Sequence, residues 1–242
     1  MTDISIVVPT KDRPKNIKRL VQSIMDQSNR PQSIQIIFRI DEGDTKSKSA
    51  IKNMKRSFPG EVLIQEKPHV KVLSDLWEDC YSLVKGPRVM MCADDVIFRT
   101  KGWDDIIIRR MRKPKKIVHF VWCNDRNQGA KMPTLPFMSE AWIKTVGYFV
   151  PRGYYCDYCD IHLQGIAERL KEMGHDVTRY LKNVIIEHMH PTANKADWDN
   201  TYKFRRSMRS KNQGRWTAAR SEIKKKAKHL KDMIDSGKVH KP

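Results

Sequence analysis

Short β-rich runs alternate with stretches of helical periodicity along this chain, and several of the runs stop on acids. "ISIVV" (4–8) closes at Pro9 and gives way to residues 16–27, where Ile17, Leu20, Val21, Ile24 and Met25 fall at helical spacing. A second strand is predicted over 33–41, a short helix over 50–58 and a third strand over 61–66. A helix follows over 70–84, with Leu73, Leu76, Trp77 and Cys80 on one face, then strands over 87–95 and 116–125. Such alternation predicts an α/β fold, a mostly parallel sheet flanked by helices and joined by right-handed crossovers. Ligands of such sheets sit beyond the carboxyl ends of the strands. The loop "PTKDRP" (9–14), Asp41, Asp94 and Asp95 all fall at those ends, so distant segments converge on one crevice.

The second half is less regular. Residues 159–174 read as a helix with Ile161, Ile166, Leu170 and Met173 inward and Gly174 at its end. The run 177–191 ends in "VII", followed by Glu187, His188 and His190. From Trp216 onward, Trp216, Ala219, Ile223, Ala227, Leu230 and Ile234 recur every three or four residues, opposite a face that is nearly all lysine. No run of 18 apolar residues exists, so no membrane-spanning helix is expected. The start reads as a first strand rather than a signal peptide. Five cysteines without framework spacing fit a reducing cytosol.

Asp94 and Asp95 in "CADD" (92–95) are costly to place at the end of a buried strand. Adjacent carboxylates there suit a hard divalent cation, Mn2+ or Mg2+, shared with phosphate oxygens. His188 or His190 can complete the shell. The competing reading is a surface turn whose acids cap the next helix. "CDYC" (156–159) with His162 is one CxxC where structural zinc needs four ligands, so two part-buried thiols are the simpler reading. His69, His119 and His175 read as structural; Trp122, Trp142, Tyr154 and Tyr155 are either core or sugar-stacking residues.

Taken together, "ISIVVPTKDRPKNIKRLVQSI", "FRIDEG", "CADD" and "GYYCDYCDIHLQGIAERL" resemble, in order and spacing, the glycosyltransferase family 2 proteins, which share the GT-A fold. The resemblance covers residues 3–202. The ending "VIIEHMHP...ADWDNTY" is similar to a subset found in phages and in bacteria carrying phage genes. The resemblance implies a GT-A domain over 1–202 followed by a basic helical tail over 203–242. It implies that Pro9, Thr10 and Arg13 line the pocket of a UDP-sugar donor, that Asp41 binds the base, and that Asp94 contacts the ribose or the metal's water shell. Asp95 is the implied metal ligand, with His190 the second and His188 its rival. Asp160 matches the general base and Asp157 is the rival. The chain departs from the family's pattern in lacking an acid at position 93, and in having Asp-Tyr-Cys-Asp where a Glu-Asp pair is usual. One such base with direct displacement means inversion at the anomeric carbon.

Charge bears on the acceptor. The chain carries 47 Lys and Arg against 28 Asp and Glu, net +19, and residues 203–242 hold 14 basic against 3 acidic residues. Such an excess points to an anionic partner, most often nucleic acid. Arg205, Arg206, Arg209, Lys211, Arg215, Lys224, Lys225 and Lys228 are the candidate contacts. The expected acceptor is then DNA, through the 5-hydroxymethyl group of a modified, flipped-out pyrimidine, in the cytoplasm of a phage-infected bacterium. Two alternatives stay open: a transferase acting on a polysaccharide, lipid or protein, and a non-catalytic DNA-binding protein on a transferase fold. The bland reading of the tail is a solvated face on a packing helix.

Overall fold

The computed structural model describes residues 1–239. Four strands form a parallel block: β1 (Ile4–Pro9), β2 (Ile34–Asp41), β3 (Glu61–Lys67) and β4 (Arg88–Met91), with β1 central between β2 and β4. They are joined through α1 (Pro14–Gln27), α2 (Thr45–Ser57) and α3 (Leu73–Asp79). Strands β1 and β2 are buried along their whole length, which is why they read as continuous apolar runs. Side chains alternate across the sheet. Ile4, Ile6 and Val8 join one core with α1 and α2, while Val7 joins a second core on the other face, with Trp77 of α3.

Beyond β4 the sheet is mixed. Strand β5 is Val96–Phe98, β6 Phe120–Asn124, β7 Phe137–Ser139 and β8 Thr178–His188, and the full order is β3-β2-β1-β4-β7-β6-β8-β5. β7 lies antiparallel between β4 and β6, and β8 runs parallel to β6. The far end of β8 bends past a register shift at Cys123/Asn124 and pairs antiparallel with β5, setting Val96 opposite His188. Two backbone bonds complete the junction: Met189 N–H donates to Asp95 O at 2.7 Å, and His188 N–H to Asp125 O at 3.0 Å. Residues 94–95 are thus stitched to residues 188–189.

Several expected boundaries shift. The fourth strand ends at Met91, not Asp95; Cys92 N–H still bonds Val7 O at 3.0 Å, and Ala93–Asp95 then turn into β5. The fifth strand begins at Phe120 because the N–H groups of Lys116 and Ile117 fold back to Lys113 O at 2.8 Å. The helix over 70–84 shortens to α3 and a 3₁₀ turn at Tyr81–Leu83. Helices α4 (Trp103–Arg110) and α5 (Glu140–Val146) lack a long apolar period, and their caps carry them instead: Gly102 in the left-handed region before α4, and Ser139 accepting from Trp142 N–H before α5.

Helix α6 (Cys159–Glu172) is followed after β8 by α7 (Asn200–Ser207), α8 (Arg209–Ala218) and α9 (Arg220–Asp235). The apolar stripe Ala219, Ile223, Ala227 and Leu230 is buried in the second core, where α9 packs on α5 and α6. Gly165 of α6 faces Ile223 of α9, where an added Cβ would make ordinary van der Waals contact at 3.4 Å. Trp142 and Tyr154 are fully buried, so they are core residues and do not stack on a ligand. Among the described residues no helix is long and apolar enough to cross a membrane.

Candidate active site

The carboxyl ends of β1 and β4 bring the first loop onto the acid pair. Thr10 Oγ1 donates to Asp94 Oδ2 at 2.6 Å, and Arg13 Nη1 donates to Asp94 Oδ1 at 3.0 Å. The loop is held from behind by Asp44, the α2 N-cap, which accepts from Ser47 N–H at 2.9 Å and Asp12 N–H at 2.8 Å. Asp94 and Asp95 are both buried, each 3% exposed. Burial pushes Asp94 up, against the pull of Arg13. Burial acts the same way on Asp95, but His188 and a hydrogen bond from Tyr202 outweigh it and hold that carboxyl well below the usual range.

Asp95 has two differently employed oxygens. Tyr202 Oη donates to Oδ2. Oδ1 faces His188 Nε2 at 3.2 Å, yet neither atom has a hydrogen-bond partner, and both are buried. Unpaired buried polar atoms are costly and call for a missing partner. Two ligands at right angles around an octahedral cation, each about 2.1 Å from it, lie about 3 Å apart. The pair therefore fits a Mg2+ or Mn2+ ion. Among the described residues no group of three His, Cys, Asp or Glu side chains is placed to hold a metal by itself; Asp95 and His188 would supply two ligands and leave the others to a bound molecule and water. His190 Nδ1 lies 2.7 Å from Thr192 Oγ1, with its ring edge-on to those of His188 and Tyr202. Of the two candidate histidines, His188 is thus the one against Asp95. Burial, then Arg205, lowers His190 to about 4, so it stays neutral.

Asp160 stands in the first turn of α6, half-buried, its Oδ1 accepting from Ile161 N–H at 2.9 Å. Desolvation raises it to about 6, and Asp157 adds to the effect. Its rival Asp157 is committed elsewhere: it accepts from Arg205 Nη2 at 2.7 Å. Among the described residues Asp160 makes no ion pair, whereas Asp157 is held by Arg205. The segment carrying both acids is pinned to α3, where Glu78 accepts from Phe149 and Val150 N–H at 2.8 Å and Ser74 N–H donates to Tyr154 O at 3.0 Å. Cys156 and Cys159 are buried thiols, pushed up by burial.

At the carboxyl end of β2, Asp41 meets Lys11 Nζ at 3.1 Å and His69 Nδ1 at 2.7 Å. Pro9 ends β1 beside Arg39. His69 thus packs against Asp41, although nothing in the sequence pairs the two. The larger omission concerns α7. Asp199, Tyr202 and Arg205, spaced three apart on one helix face, engage Arg13, Asp95 and Asp157 in turn. Arg13 Nε donates to Asp199 Oδ2 at 3.0 Å, and its guanidinium lies 4.7 Å over the Tyr202 ring. That i, i+3, i+6 pattern within "DNTYKFR" was the available signal. Of the basic tail residues, Arg205 is turned inward and Arg215 is half-buried over Tyr154, while Arg206, Arg209, Lys211, Lys224, Lys225 and Lys228 are exposed.

No protein-family model matches the chain, and no curated protein is similar to it in sequence. Its architecture is the GT-A type, a mostly parallel, Rossmann-like sheet flanked by helices with further helices at the C-terminus. Solved glycosyltransferase structures share that fold. A mannosyltransferase from Pyrobaculum calidifontis, in complex with GDP-mannose and Mn2+, superposes with a TM-score of 0.62 at 11% identity, over 96% of this chain and 75% of that one. S. aureus TarS 1–349 in complex with UDP-GlcNAc gives 0.58 at 11% identity, over 99% and 93%. M. tuberculosis glucosyl-3-phosphoglycerate synthase gives 0.58 at 11% identity, over 89% and 81%.

Proposed function

We propose that this chain is an inverting glycosyltransferase that moves a sugar from a nucleoside-diphosphate donor to a hydroxyl. The observation that carries the reading is the buried couple Asp95 Oδ1 and His188 Nε2, 3.2 Å apart and without hydrogen-bond partners, at the carboxyl ends of the strands. Asp95 and His188 would hold Mn2+ or Mg2+, which supplies charge neutralisation of the diphosphate leaving group. Arg13 and Thr10 hold Asp94 in place beside it, and Asp41 with Lys11 and His69 receives the nucleoside end. Asp160 takes the proton of the acceptor hydroxyl as that oxygen attacks the anomeric carbon from the face opposite the diphosphate. The fold relatives support this donor class, since their bound molecules are GDP-mannose with Mn2+ and UDP-GlcNAc.

The acceptor is a hydroxyl on a saccharide, lipid, protein or other small molecule, in keeping with the range of transferases that share the fold. One observation favours a second reading, DNA bearing a 5-hydroxymethylpyrimidine in a phage-infected cell. Arg206, Arg209, Lys211, Lys224, Lys225 and Lys228 are solvent-exposed on α7–α9, where phosphate contacts would release counterions. The experiment is a transfer assay with Mn2+ or Mg2+ and a panel of UDP- and GDP-sugars. Hydroxymethylated DNA, plain DNA and saccharide acceptors are offered, and products are read by mass spectrometry. Metal-dependent release of nucleoside diphosphate is expected. Its absence with every donor refutes the transferase, and a sugar mass gain on hydroxymethylated DNA alone selects the second reading.

A further inference from the structure

Tyr202 of α7 reaches 107 positions back along the chain to Asp95. Its hydroxyl is placed with little freedom. The side chain is 4% exposed, Arg13 covers one face, and the His190 ring packs edge-on with centroids 5.1 Å apart. Its own N–H is fixed by Asp199 Oδ1 at 3.0 Å, the α7 N-cap. The phenol occupies Asp95 Oδ2 and leaves Oδ1 without a partner, facing His188 Nε2. A carboxylate with one oxygen engaged by a strong donor offers a cation one oxygen rather than two. That distinction separates metals. Mg2+ demands near-ideal octahedral geometry and takes carboxylates through single oxygens, whereas Ca2+ takes six to eight oxygens and accepts bidentate carboxylates.

We propose that Tyr202 is a positioning residue for the cation site: by holding Asp95 Oδ2 it presents Oδ1 alone beside His188, and so favours Mg2+ or Mn2+ over Ca2+. This rests on the cation site proposed above. Helix α7 is on this view part of the metal centre and sets which ion the enzyme uses. Tyr202 does not touch the ion; it acts through Asp95. Outer partners of metal ligands typically change affinity about 10–100-fold when removed.

The test is Mn2+ binding followed by loss of the free-ion electron paramagnetic resonance signal. Mg2+ and Ca2+ serve as competitors, with UDP and separately GDP present and corrected for binding by nucleotide alone. In Tyr202→Phe the freed Oδ2 allows bidentate coordination. Mg2+ affinity should fall about 10-fold or more, while Ca2+ affinity falls less or rises, so the Ca2+/Mg2+ ratio increases. A purely structural role weakens both ions alike, and an unchanged ratio overturns the proposal. If Tyr202→Phe melts too low to titrate, Asp199→Ala removes the α7 N-cap without touching Asp95 and should move the ratio in the same direction. Wild-type protein that binds no divalent ion refutes the cation site itself and this proposal with it. Wild-type binding with an unmoved ratio refutes this proposal alone.

Discussion

Replacing Asp160 with asparagine should make the protein more stable and much less active, and the stability gain should depend on pH with a definite sign. In the folded chain desolvation raises this carboxyl from 3.8 to about 6. A raised folded value means the protonated form is at home in the fold and the ionised form is not. Asp160 therefore adds no cost below about pH 4, a growing cost as pH climbs toward 6, and its full cost above. Two pKa units at 1.36 kcal/mol each set a ceiling of about 3 kcal/mol, and partial exposure brings the expectation to about 1–2 kcal/mol. For a domain of this size that is a rise in Tm of about 2–8 °C at pH 8, vanishing at pH 4. Turnover should fall about 10²–10⁴-fold with donor affinity kept, and wild-type kcat/KM should climb with pH through about 6. Thermal unfolding of both proteins at a series of pH values, beside donor-binding and transfer assays, measures every part. Equal melting differences at pH 4 and pH 8 would refute the desolvation argument, and full turnover in the variant would remove Asp160 as base.

Asp157→Asn should act with the opposite sign, lowering stability by about 1 kcal/mol because it strips a partly exposed Arg205 of its partner; loss of turnover here with Asp160→Asn active would make Asp157 the base. Asp95→Ala should abolish both Mn2+ binding and metal-dependent release of nucleoside diphosphate, checked by metal titration and by a diphosphate assay. Truncation after Tyr202 removes Ile223, Ala227 and Leu230 from the core, so the shortened chain should lose cooperative unfolding by calorimetry; Leu230→Ala alone should cost about 2–5 kcal/mol. If the tail binds DNA, changing Lys224, Lys225 and Lys228 to glutamine should lower the slope of log binding constant against log salt by about 2–3 while leaving Tm nearly unchanged. An unaltered slope removes α9 from any DNA interface.

The parallel half of the sheet is legible because each strand there is a continuous apolar run closed by Pro or an acid, and each connecting helix shows its period. The acids Asp41, Asp94 and Asp95 follow from where such runs stop. The mixed half hides its order. β5 and β7 are three residues each, too short for a period, and β8 was visible only as "VII" because its first half pairs at a half-exposed edge. Choosing His188 over His190 depends on the antiparallel register of β5 with β8, which sets Val96 opposite His188, and no local pattern encodes a register between segments so far apart. Ranking Asp160 above Asp157 depends on Arg205. In sequence that arginine is indistinguishable from the surface cations, because an inward-turned arginine and an exposed one look alike until their partners are known.

The junction between β5 and β8 also sets a timetable. Among the described residues β5 pairs with β8 alone, and it is synthesised about 90 residues before the segment that will hold it. Through that interval the two adjacent carboxylates at 94 and 95 lack His188, and they wait longer still for Tyr202. Local contacts can organise the first parallel block early, because β1, β2 and their helices are neighbours in sequence. Closing the second block means closing a long loop whose entropic cost precedes any reward. Folding should therefore proceed in two stages, with β1–β4 protected from hydrogen exchange first and the 94–98 and 186–189 amides last and together. The elements that assemble the chemistry are the slowest to arrive.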